Sequence, residues 1–306
     1  MALPGNVLAL ILGIILVVKG GDAFVEAAGN LARRLGLPAF LVGATVVSLA
    51  TTLPELMVSL LATGQGKTDM AIGNALGSVT ANTGLIFAIA MAVTPGVILP
   101  GLTAPGIFLL GAGVSLWAAC SGGALALWGV LLLMGICAGF LVYNARRAAR
   151  HIREEKDNPT APWLWKFLLG ATGIVAGSQL LVNGGSGLAR SLGVPEGIIA
   201  ATLLAVGTSL PELVTSLAAI KKGELALSAG NITGANIIDL TLILPLCSLV
   251  SGGGLPLREQ NLFLDLPVCV GILAVAIFPL MIAKKSSRVQ GVLLLLLYGC
   301  YLLCLI

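Results

Sequence analysis

The chain carries little charge and few groups suited to catalysis. Of its 306 residues only 10% are Asp, Glu, Lys or Arg, and the mean hydropathy is +1.05. A water-soluble domain of this length cannot cover its surface with so little charge, which excludes the soluble globular classes. There is one histidine, His151, set among the charges of a short polar stretch, so zinc binding and histidine acid–base catalysis have no support. The six cysteines (Cys120, Cys137, Cys247, Cys269, Cys300 and Cys304) lie in apolar segments without metal-type spacing. They read as packing residues, with no disulfide framework. The 17 basic residues leave a net charge of only +4 and sit mostly between apolar runs, which offers no nucleic-acid surface. No basic segment precedes the first apolar run, so Ala2–Val18 is expected to be a mature span and not a cleaved signal.

What the chain has in quantity is apolar sequence and glycine: 58% hydrophobic residues and 40 glycines. Apolar runs of about 18 to 25 residues are each long enough to cross a bilayer, and glycine lets such helices pack closely. Ten spans are expected, at approximately 4–34, 38–63, 69–93, 104–120, 124–146, 163–191, 195–220, 224–250, 262–282 and 289–306. If the amino terminus is outside, 13 basic residues fall on the inner side: Arg33, Arg34, five in the 146–162 linker, Lys166, Lys221, Lys222, Lys284, Lys285 and Arg288. The outer side receives Lys67, Arg190 and Arg258, and Lys19 lies within a span. This bias predicts a multi-pass protein of the cell (plasma) membrane with both termini outside and the linker in the cytoplasm.

The halves of the chain are copies. Leu31–Pro38 aligns with Leu188–Pro195, Gly73-Asn74 with Gly230-Asn231, and Asn82 with Asp239, at a constant offset of 157 residues. Five spans per copy is an odd number, so the copies cross the membrane in opposite senses. The expected fold class is an all-α polytopic membrane protein: ten transmembrane helices as two inverted five-helix repeats, with helices 2, 3, 7 and 8 broken. Its organisation would be a first repeat at 1–145, a linker at 146–162 and a second repeat at 163–306.

The second and seventh apolar runs carry a deep acidic residue at matched places. Thr51-Thr52-Leu53-Pro54-Glu55 has its copy in Thr208-Ser209-Leu210-Pro211-Glu212. Proline cannot donate its backbone bond, which frees carbonyls near Ala50 and Thr51, and within the membrane such groups persist only inside protein or against a wet cavity. Carbonyls, hydroxyls and a carboxylate within one turn form a hard oxygen set suited to Na⁺ and Ca²⁺. A second weak point is expected at Gly73-Asn74 and Gly77-Ser78, and at Gly230-Asn231 and Gly234-Ala235. Glu55 precedes Asn82 by 27 residues and Glu212 precedes Asp239 by the same number, so inverted packing would gather Glu55, Asn82, Glu212 and Asp239. Three carboxyl groups in a low-dielectric cluster need cations or protons, and different loads can satisfy the same cage. Asp239 is one carboxyl more than Ca²⁺ needs, which suggests that it stays protonated.

These motifs, G-T-S-L-P-E at Gly207–Glu212 and G-N-x-x-G-x-N-x-x-D at Gly230–Asp239, resemble the two repeats of the calcium/cation antiporter superfamily, most closely prokaryotic sodium/calcium exchangers. The resemblance covers essentially the whole chain, including the Gly20-Gly21-Asp22 region. It implies Ca²⁺ extrusion driven by Na⁺ influx through alternating access, with the long first and sixth helices sliding over the core. Carried over by position, the ion ligands would be Glu55 and Glu212 as principal carboxylates, with Thr51, Thr52, Ser78 and Asn82. The second repeat would give Thr208, Ser209 and Asp239, and the backbone carbonyls of Ser48 and Ala205 would complete the set. Thr52 stands where the family usually has Ser. Ala235 also replaces a usual Ser and removes one side-chain oxygen, and Lys19 lies inside the first helix.

Plainer readings exist for each residue. Glu55 and Glu212 could be a buried structural pair, Asp239 and Asn82 caps of broken helices, and the hydroxyls of Thr51, Thr52, Ser78, Thr208 and Ser209 partners of nearby carbonyls. Asp22, Glu26, Arg33 and Arg190 read as anchors of helix ends, and Trp163 and Trp165 as an interface belt. Two glutamates at matched prolines favour the cation site. Among rival functions, a cation/proton antiporter would use the same carboxylates, but protons need no flanking hydroxyls. A cation channel would normally ring an axis with several subunits, whereas this chain completes its own cage. Of intramembrane protease groups, only Asp239 is expected to lie deep. The chain is thus read as no enzyme, with no cofactor and no obligate protein partner; its partners are Ca²⁺, Na⁺ and the lipid bilayer.

Overall fold

The computed structural model describes residues 3–97, 99, 101–150, 162–193 and 205–305. In chain order the helices are α1 (Leu3–Leu35), α2 (Ala39–Gly64), α3 (Thr68–Val93), α4 (Thr103–Cys120), α5 (Leu127–Ala149) and α6 (Pro162–Ser191). They continue with α7 (Ala205–Thr208), α8 (Leu210–Lys221), α9 (Leu225–Val250), α10 (Asn261–Ala283) and α11 (Arg288–Leu305). Among the described residues nine helices are long and apolar enough to cross a membrane. The expected span at 195–220 lies partly outside the described residues, and its described part is α7 and α8.

The inversion is written into the packing. In α1 a Cβ at Gly13 would lie 3.0 Å from the Gly177 carbonyl oxygen, and one at Gly20 would lie 2.9 Å from that of Gly170. Gly13 and Gly170 are related by the 157-residue offset, as are Gly20 and Gly177. The seam between α1 and α6 therefore pairs the first glycine of each copy with the second glycine of the other, as antiparallel copies must. Against lipid, α1 exposes Leu8, Ile11, Ile14 and Ile15. The innermost element is α9, buried without interruption from Leu227 to Thr241. It approaches α2 backbone to backbone: a Cβ on Gly230 would lie 2.2 Å from the Phe40 carbonyl oxygen, and one on Gly43 2.2 Å from that of Leu227. The Gly230 pair expected to weaken the helix instead lets two helices touch.

The irregular turns lie elsewhere than expected. Pro54 sits inside an α-helical stretch, Ser48–Gly64, and α2 widens instead to a π turn at Gly43–Val47. In α3 the helix passes through Gly73-Asn74 and widens at Asn82–Phe87; in α9 it widens at Asp239–Ile243. A π turn skips one backbone bond register and often marks a functional position. The second proline behaves as the sequence suggests. Ser209 interrupts the helix between α7 and α8, and Pro211 stands in the first turn of α8, where no amide donor is needed.

One boundary shifts. The helix α5 runs to Ala149, so Arg146 and Arg147 occupy its last turn, where cations oppose the negative end of the helix dipole. One small departure from an all-helical chain is a two-residue antiparallel ribbon, β1 (Ala124–Leu125) with β2 (Leu255–Pro256), which ties the α4–α5 connection to the α9–α10 connection.

Candidate cation site

The site forms where α2 and α3 meet α7, α8 and α9. Glu55, Glu212, Asp239 and Asn82 are all completely buried. Among the described residues, both carboxylate oxygens of Glu55, both of Asp239, Oε2 of Glu212 and Oδ1 of Asn82 have no hydrogen-bond partner. The three acids lie within electrostatic reach of one another. Six unpartnered oxygens at this depth are not a stable resting arrangement, because each is a desolvated acceptor, and most carry full or partial negative charge. Cations or protons are what such a cage calls for. No group of three or more His, Cys, Asp and Glu side chains closes on one point among the described residues. A cation held by the glutamates therefore draws the rest of its shell from hydroxyl, amide and carbonyl oxygens.

The surrounding hydroxyls knit the two copies together. Thr52 donates to Oε1 of Glu212 at 3.3 Å, and the hydroxyls of Ser78 and Ser209 lie 2.9 Å apart. Thr51 donates to Oδ1 of Asn231 at 3.1 Å, and Thr208 donates to Oδ1 of Asn74 at 3.0 Å. These last two bonds are one bond seen twice, each threonine reaching the asparagine of the opposite copy. The Ser48 carbonyl accepts from the Thr51 hydroxyl at 3.3 Å, so it faces the same turn. Ala205 is the first residue of α7, one turn before Ser209.

The symmetry then fails in an informative way. Asn74 donates through Nδ2 to the Glu55 carbonyl at 3.3 Å and to Ser59 at 2.9 Å. Its counterpart Asn231 has Nδ2 unpartnered, as are the hydroxyls of Ser216, Thr215 and Ser228, all buried. Beside the first asparagine lies a cavity of about 450 Å³ lined by Pro54, Asn74, Gln179, Val182, Thr208 and Pro211. It extends past Val58 and Met70 towards the α2–α3 turn. From one end of the molecule a cavity thus reaches Thr208 at the edge of the cage, while the related polar groups towards the other end are fully buried.

Three buried polar features escaped the sequence reading. Asn236, whose place in the Gly230–Asp239 motif does not disclose a role, lies across from Asn82: its Oδ1 accepts from Nδ2 of Asn82 at 3.1 Å and its Nδ2 donates to Thr83 at 2.8 Å. Asn74 and Asn231 do not weaken their helices but organise the threonines. Asp265 in α10 is 5% exposed, which corrects the expectation that only Asp239 lies deep. Its oxygens accept from Asn261 at 2.8 Å and from the Tyr301 hydroxyl at 3.0 Å, so it joins α10 to α11. The only trace of this in sequence is an acid at the head of the ninth apolar run. Of the helix-end residues, Arg33 pairs with Glu224 at 2.8 Å and Glu26 with Lys166 at 2.9 Å. Lys19 is on the exposed face of α1 and makes no ion pair with Asp22 among the described residues.

Comparison with known proteins decides the family. The sodium/calcium exchanger protein family model matches residues 5–146 and 162–306, which together are nearly the entire chain. The chain belongs to that family. Among its relatives, the sodium/calcium exchanger MaX1 of Methanosarcina acetivorans is 29% identical, with 98% of each chain covered. The putative antiporter CaxA of Alkalimonas amylolytica is 32% identical, covering 94% of this chain and 95% of its own length. Solved structures of the sodium-calcium exchanger NCX_Mj share the fold; the one soaked with 2.5 mM Na⁺ and 10 mM Sr²⁺ superposes with a TM-score of 0.88 at 29% identity, over 97% of this exchanger and 98% of that chain. The exchanger family is one of multi-pass membrane transporters, and the inverted five-helix repeats seen in this chain are its architecture.

Proposed function

We propose that this chain exchanges Na⁺ for Ca²⁺ across the membrane by alternating access, with Na⁺ influx driving Ca²⁺ extrusion. The observation that carries the reading is the set of six unpartnered, fully buried oxygens between two inverted copies. Glu55 and Glu212 are the principal Ca²⁺ carboxylates. Thr51, Thr52, Ser78, Asn82, Thr208, Ser209 and Asp239, with the carbonyls of Ser48 and Ala205, supply the remaining oxygens for Ca²⁺ and Na⁺. An empty cage of bare carboxylates is too costly to turn over, so each passage requires a load, and that requirement couples the two ions.

The basic-residue bias supports insertion in the cell membrane with both termini outside and the 146–162 linker inside. The domains are then the copies 1–145 and 163–306, and the 450 Å³ cavity faces outward. The test is ⁴⁵Ca²⁺ uptake into proteoliposomes with Na⁺, K⁺ and H⁺ gradients imposed one at a time. Uptake driven by an outward Na⁺ gradient is expected. Uptake driven by the H⁺ gradient alone would instead identify a cation/proton antiporter, and flux without any counter-ion a channel.

A further inference from the structure

A carboxylate presents an oxygen to a cation whichever way it turns, but a carboxamide has one oxygen end and one amino end. Where the second copy places Asp239 in the cage, the first copy places Asn82. Something must therefore decide which end of Asn82 faces the ions. Nδ2 of Asn82 donates to Oδ1 of Asn236 at 3.1 Å, and Nδ2 of Asn236 donates to the Thr83 hydroxyl at 2.8 Å. This leaves Oδ1 of Asn82 buried and unpartnered, available as an acceptor. All three side chains are at most 1% exposed, so no water competes for these bonds.

The internal repeat supplies the comparison. Shifted by 157 residues, Asn236 corresponds to Val79 and Thr83 to Leu240. The polar pair thus exists only where the cage residue is a carboxamide; where it is the carboxylate Asp239, both related positions are aliphatic. Burying an amide next to another amide is worthwhile only if both are bonded. We propose that Asn236, anchored by Thr83, is a positioning residue that fixes the Asn82 carboxamide with its oxygen towards the transported cation. The proposal rests on the reading of Asn82 as an ion ligand.

The test measures ⁴⁵Ca²⁺ uptake as KM and kcat for Ca²⁺ and for Na⁺ in proteoliposomes, with thermal unfolding as a check on folding. Asn236→Val is expected to raise the KM of the ion that Asn82 binds about tenfold, the worth of one buried hydrogen bond, with kcat kept within about threefold. In an Asn82→Asp background the same substitution should change KM by less than about threefold, because a carboxylate needs no orienting. An equal loss in both backgrounds, or no change in KM in the native background, overturns the proposal and makes Asn236 a spacer. Asn82→Ala separates the two levels of argument. If it leaves both KM values unchanged, Asn82 is no ligand and the underlying reading fails. If it raises KM while Asn236→Val is silent, only the positioning role fails. Should Asn236→Val not fold, Thr83→Val removes the anchor without touching either amide and carries the same comparison.

Discussion

A fully buried carboxyl with neither oxygen bonded, as at Glu55 and Asp239, is tolerated only beside positive charge or with a proton of its own. The two kinds of acid are separable by removing charge while keeping shape. Glu55→Gln and Glu212→Gln are each expected to reduce ⁴⁵Ca²⁺ uptake by roughly a hundredfold or more, the cost of deleting one of two carboxylates from a desolvated Ca²⁺ shell. Asp239→Asn is expected to keep the KM for Ca²⁺ within about threefold, since a protonated carboxyl and a carboxamide present similar groups. Abolished transport in Asp239→Asn would make that residue a charged ligand. At this scale the glutamates were legible in the sequence, because an acid beside a proline in an apolar run has few explanations. Asn236 and Asp265 were not. An amide in a helix can cap, pack or ligate, and only the fold brings Asn236 to a partner 154 positions away.

Helix geometry was legible in its extent and less so in its irregularities. Spans followed from hydropathy, and the Ser209 break from the proline that follows it. The π turns at Gly43–Val47, Asn82–Phe87 and Asp239–Ile243 have no residue signature, because a skipped bond register is set by neighbouring elements and not by local preference. The glycines show the same limit. Glycine in a helical run reads as a weak point, yet Gly230 is where α9 meets the Phe40 carbonyl. Gly230→Ala is expected to destabilise by about 1–3 kcal/mol, the usual cost of overpacking, as a lowered thermal unfolding midpoint in detergent. Gly111→Ala in α4, where a new Cβ meets nothing within 4 Å, is the control and should leave the midpoint unchanged or raise it.

Across the whole molecule the two ends are not electrically alike. Towards the α8–α9 turn, Arg33 of α1 pairs with Glu224, and Glu26 pairs with Lys166 of α6 and, at 4.0 Å, with Lys222. Their counterparts at the other end are Lys67 for Glu224, Asn183 for Glu26, Ala9 for Lys166 and Gln65 for Lys222. None of those ion pairs can form there, and that is the end on which the cavity opens. Among the described residues the cavity end carries a different pair, Asp69 with Arg258; single exposed pairs contribute little, but unlike sets at the two ends bias a near-balanced equilibrium. Glu224→Lys makes the ends more alike. It is expected to slow maleimide labelling of a cysteine placed at the cavity residue Ser178 by roughly two- to fivefold, in a background lacking the native cysteines. An unchanged rate would show that the ion pairs do not set which end is open. The repeat itself was plain in the sequence; this inequality between its copies emerged only once the packing identified which charges meet.

The crossed bonds Thr51–Asn231 and Thr208–Asn74 make the molecule its own control experiment. Thr51→Ala and Thr208→Ala delete the same chemical contact from opposite faces of a single cage. Whatever they share in altered transport reports on the common contact, and whatever separates them reports on the unequal surroundings of the two copies, the cavity beside Thr208 and the bonded amide of Asn74 among them.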